Sequence, residues 1–75
     1  MSRIKFYVEE EINRYSAENG KIDEVGLTIL EDRYESKGFS FYNEGNEAVM
    51  EWSDDVDGVV RFSAQRDFEN FVVHA

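Results

Sequence analysis

From Asp23 onward, apolar and polar positions alternate with a period of two. Val25, Leu27 and Ile29 point one way and Thr28 and Leu30 the other, which predicts a strand running to about Tyr34. Ser36-Lys37-Gly38 supplies a turn, after which Phe39 and Phe41 alternate with Ser40 and Tyr42. Asn43-Glu44-Gly45-Asn46 has the composition of a second turn. Ala48, Met50 and Trp52 then alternate with Val49 and Glu51. Asp54-Asp55-Val56-Asp57-Gly58 forms a third turn, and Val59 to Phe62 reads as the last strand, with Val60 and Phe62 on one face. Loops this short suit antiparallel pairing, because parallel strands need a crossover of a dozen residues or more.

The two ends follow a different period. Ile4, Tyr7, Val8, Ile12 and Tyr15 lie at helical spacing, Ser2 can cap the start, and Asn19-Gly20 can end a helix. Residues 3–19 are therefore expected to be helical. The competing reading is a strand, because Ile4, Phe6 and Val8 also alternate and Asn-Gly is a strong hairpin signal. At the other end Ser63 reads as an N-cap and Ala64 to about His74 as a helix with Phe68, Phe71, Val72 and Ala75 in its apolar stripe.

These elements predict one small α+β domain over residues 1–75. Its fold is a four-stranded antiparallel meander with an N-terminal and a C-terminal helix on one face. The alternative is a five-stranded antiparallel sheet with one C-terminal helix. The expected core is Ile4, Val8, Ile12, Tyr15, Val25, Leu27, Ile29, Phe39, Phe41, Met50, Trp52, Val60, Phe62, Phe68 and Phe71. The sheet face away from the helices is expected to carry Leu30, Tyr42, Val49 and Val59 among polar neighbours, a mixture that fits a contact surface better than a purely solvated face.

Composition adds a size limit and a compartment. A 75-residue chain buries only about 60–65% of the surface its unfolded form exposes, so its stability is modest. There is no Cys, which excludes thiol catalysis, thiolate metal ligands and disulfide staples, and favours the cytoplasm. The opening apolar run, broken by Lys5 and Glu9, is expected to be too short for a signal peptide and far too short to span a bilayer.

Charge changes the picture most. The net charge is −9, and between Lys37 and Arg61 there is no positive side chain. That interval holds Glu44, Glu47, Glu51, Asp54, Asp55 and Asp57, contributing −6 from less than a third of the chain. A field of one sign attracts cationic partners and repels nucleic acid and anionic membrane.

Candidate chemistry is sparse. Seventeen carboxylates guarantee close pairs, yet nothing singles out an acid and a base in different environments. Ser53, Asp55, Asp57 and Gly58 match positions 1, 3, 5 and 6 of a calcium loop, but Ala64 falls where the bidentate carboxylate is required. His74 is the only histidine and has no evident relay partner. No Gly-rich phosphate loop is present. The sequence therefore predicts a non-catalytic protein without cofactor or metal.

The expected function is docking on a basic surface of a larger, nucleic-acid-binding protein. The expected protein-binding residues are Glu44, Glu47, Glu51, Asp54, Asp55 and Asp57, with Tyr42 and Val49 as apolar anchors. Charge would speed association, and the apolar contacts would slow release. In size, acidity and lack of a catalytic motif the chain is similar to small phage-encoded inhibitors of host defence, such as anti-restriction and anti-CRISPR proteins. That likeness is one of composition. The charge itself suggests a nucleic-acid mimic, since a rigid surface of carboxylates can occupy a cationic channel in place of phosphates. The alternative is a homodimeric or subunit-type protein that pairs through its sheet face, its acidity serving solubility alone.

Overall fold

Trp52, Met50 and Ala48 on one face of the Glu47–Ser53 strand, and Val49 on the other, are all buried. A strand apolar on both sides belongs in the middle of a sheet. The computed structural model, which describes residues 2–4 and 12–74, places it there. The elements run β1 (Ser2–Ile4), β2 (Ile12–Glu18), β3 (Gly20–Lys21), α1 (Glu24–Tyr34), a 3-10 turn (Glu35–Lys37), β4 (Phe39–Glu44), β5 (Glu47–Ser53), α2 (Gly58–Phe71) and β6 (Val73–His74). Three full strands, β2, β5 and β4, form an antiparallel sheet, with short β1 on the free edge of β2. β3 and β6 make a separate two-stranded ribbon. The molecule is thus α+β with two helices, as expected, and the C-terminal helix forms, but where the chain is described the N-terminal helix and two of the four expected strands do not.

The expected hairpin of β4 and β5 forms. Gly45 takes φ +59°, the left-handed value that a primed two-residue turn needs at its first central position. The expected N-terminal helix does not form where the chain is described, because Ile12–Glu18 pairs with β5 along its whole length. Tyr15 and Ala17 face Met50 and Ala48 across that pairing, which gives β5 its second neighbour. Residues 5–11, which carry Val8 and Glu9-Glu10-Glu11, lie outside the described residues, and so do the side chains of Ile4 and Ile12.

The expected strand at Val25–Tyr34 is helix α1. Asp23 caps it, its Oδ1 accepting from the Gly26 N–H at 2.8 Å. Gly26, Leu30 and Tyr34, four residues apart, form its buried face, and Val25 is left exposed. The expected strand at Val59–Phe62 is instead the start of α2. Asp57 caps it, accepting from the Val59 N–H at 2.7 Å, so the helix begins five residues before Ser63. Val60, Ala64, Phe68 and Phe71 then face the core, and Phe62 does not.

Both helices cover the same face of the sheet. The edge of the Tyr15 ring meets Phe68 at 5.6 Å between centroids, and Tyr34 meets Phe39 at 5.8 Å. The helices run antiparallel to each other. Tyr34 donates to Asp67 at 2.6 Å at one end, and at the other a Cβ on Gly26 would come within 3.2 Å of Phe71. Asn43 fastens β4 to the start of α1, donating to the Ile22 carbonyl and accepting from its N–H.

Candidate functional site

The register of β2, β5 and β4 decides which acids share a surface. On the face away from the helices, Glu18, Glu47 and Glu44 stand opposite one another in a single cross-strand row. Two residues along lies the row Ser16, Val49, Tyr42, and two further the row Arg14, Glu51, Ser40. Like charges in one row repel. Arg14 offsets part of this by reaching diagonally to Glu44, a path that crosses the central strand at Val49. Tyr42 donates to Glu51 at 2.8 Å.

These contacts shift the ionisable groups. Burial and the bond to Glu51 push the Tyr42 hydroxyl up to about 12. Partial burial disfavours the Arg14 cation, but the hydrogen bond to Glu44 and the charges around it outweigh that and raise its pKa. Ser16 and Val49 are fully buried on this face, and among the described residues the Ser16 hydroxyl has no hydrogen-bond partner.

The six acids of the cation-free interval therefore do not form one ribbon. Glu44, Glu47 and Glu51 belong to the sheet face. Asp54, Asp55 and Asp57 lie past the other end of β5. Glu47 and Asp54 are seven residues apart, or about 24 Å along an extended strand. Each Asp has local work: Asp54 accepts from Asn13 Nδ2 at 2.9 Å, Asp55 from the Ser53 hydroxyl at 2.8 Å, and Asp57 caps α2. All three are exposed.

Of the two expected apolar anchors, Val49 has no exposed surface and cannot touch a partner, while Tyr42 is half-buried with its hydroxyl bonded to Glu51. Leu30, expected beside them, is fully buried on α1, and Val59 has left the sheet for α2. Among the described residues the large exposed apolar ones are Val25, Val59, Phe62 and Val73. Val59 was expected to face outward, though from the sheet, whereas Phe62 escaped the strand reading because alternation placed it inward. The helical spacing of Val60, Ala64, Phe68 and Phe71 runs back to Val60 and carries the signal that alternation hid.

Other chemistry is thin. Among the described residues no three His, Asp or Glu side chains converge to hold a metal ion. His74 is exposed in β6 and, with Asn19, Lys21, Asn46 and Val73, lines an open pocket of about 410 Å³. No described helix is long and apolar enough to cross a membrane. Comparison with protein-family models, curated proteins and solved structures finds no match.

Proposed function

We propose that this chain is a non-catalytic acidic interaction module of the cytoplasm. It docks on a Lys/Arg-rich surface of a larger nucleic-acid-binding protein and blocks or modulates it. The observation that carries the reading is the long interval without a cation, whose acids are held on β4, β5 and the loop after β5. Carboxylates at fixed spacing can stand in for phosphates, since both pair with Arg in bidentate fashion. Fixed elements lose little backbone freedom on binding, which favours association.

The test is competition. The immobilised chain, offered a lysate at low salt, should retain a basic protein that duplex DNA releases. Retention should fall steeply as salt rises, and reversing Glu47 and Asp55 together to Lys should slow association at least tenfold. Retention that survives about 0.5 M salt and that double reversal unchanged would sink the proposal, since screening at that strength leaves little reach to exposed charges.

A further inference from the structure

Helix α2 has two faces. Val60, Ala64, Phe68 and Phe71 pack inward, and Val59, Phe62 and Arg66 project from the opposite side at helical spacing. The outer face of a surface helix is ordinarily polar. Here Val59 is 79% and Phe62 71% exposed, in adjacent turns at the start of the helix. The loop leading into that start carries exposed Asp54, Asp55 and Asp57. The Arg61 guanidinium lies over the Trp52 ring at 5.7 Å. Arg66 stands one turn beyond Phe62.

We propose that the head of α2 is a docking site, with Phe62 and Val59 as apolar anchors and Asp54, Asp55 and Asp57 as an acidic rim. Its occupant is a partner segment bearing an apolar stripe or groove edged with Lys and Arg. This rests on the acidic docking reading and gives it an exposed apolar anchor that buried Val49 cannot supply. Charge complementarity selects the occupant. A second copy of this chain brings another −9 of charge, which opposes self-association at an acidic rim. Interfaces are enriched in aromatic side chains, Phe included, and carry a polar rim.

The probe is a synthetic helical peptide with leucine along one stripe and lysine elsewhere, beside a control in which serine replaces leucine. The isotope-labelled full chain is titrated with each. The amphipathic peptide should shift the amides from Asp54 to Ser63, and Phe62→Ala should weaken it at least about tenfold, as loss of an interface aromatic does. The control peptide should bind weakly and ignore that substitution. Because Phe62 is exposed, Phe62→Ala should leave the circular dichroism and melting midpoint unchanged, which separates lost binding from lost folding. Glu24→Gln, at an exposed acid in the first turn of α1, should leave the amphipathic peptide's affinity within about twofold.

Three results overturn the site. Shifts centred on Glu18, Glu44 and Glu47, with Phe62→Ala silent, remove α2 and leave the acidic docking reading standing. No binding of either peptide at low salt removes both. Sedimentation that finds a dimer of the free chain, dissolved by Phe62→Ala, assigns this face to a second copy instead.

Discussion

Gly38 takes φ +100° at the end of the 3-10 turn, where a Cβ would also come within 2.9 Å of Val56, so glycine is needed on two counts. Tyr42 shows a different dependence on surroundings. Its hydroxyl is held protonated up to about 12 by burial and by Glu51. Tyr34 is raised as well, by burial and by its bond to Asp67. The folded-state values lie above the unfolded ones, so these groups add stability that is complete below about pH 10, the ordinary tyrosine value. It is lost as pH climbs through the folded pKa, between about 10 and 12 for Tyr42. Denaturant titrations across that range should show the loss, and Tyr42→Phe should flatten it. An unchanged slope in the variant would remove Tyr42 from the account. Tyr42 was legible in the sequence as an outward residue of β4, but its partner on β5 was not, because a diagonal contact depends on register.

At the scale of elements, two aspartates decide where helices begin. Asp23 and Asp57 each accept from the first turn of the helix that follows. Replacing either with Ala should cost about 1 kcal/mol, read from the urea midpoint, with Asn at the same position restoring most of it. A loss no larger for Ala than for Asn would mean that the caps do not matter. Both caps stood in the sequence. The alternation Val25, Leu27, Ile29 obscured the first, because β-branched residues favour strands locally and only packing overrides that preference. Leu27, Leu30 and Tyr34 already carried the helical stripe. Asp57-Gly58 read as a turn because Asp and Gly serve turns and caps equally well. The β4–β5 hairpin was fully legible, since alternation, turn composition and loop length agreed there.

Across the whole molecule the acids act together. At about 0.01 M salt the screening length is near 30 Å, and at 0.15 M it is near 8 Å. The molecule measures 32 × 24 × 17 Å, so at the lower salt every carboxylate feels every other. A net charge of −9 then opposes the compact state. The melting midpoint should rise between those two salt concentrations, and a midpoint that falls or stays level would mean that local pairs such as Arg14–Glu44 outweigh the general repulsion. The same increase in salt should weaken docking, so stability and binding are expected to move in opposite directions. Of the candidate site, the acids themselves were legible and their grouping was not. Glu47 and Asp55 are close in sequence, yet β5 carries them to opposite ends of the sheet.

Composition and short-range pattern were enough to set the α+β class, the β4–β5 hairpin, the inward Phe39, Phe41, Met50, Trp52 and Phe68, and the strongly negative charge. Each depends on neighbours within a few residues or on a simple sum. The strand at Ile12–Glu18, the helix at Glu24–Tyr34, the burial of Val49 and the exposure of Phe62 were settled only by tertiary structure. In each, local preference is nearly balanced. The chain takes the conformation that completes the flanks of β5 and covers its aromatic face, and that requirement comes from residues distant in sequence.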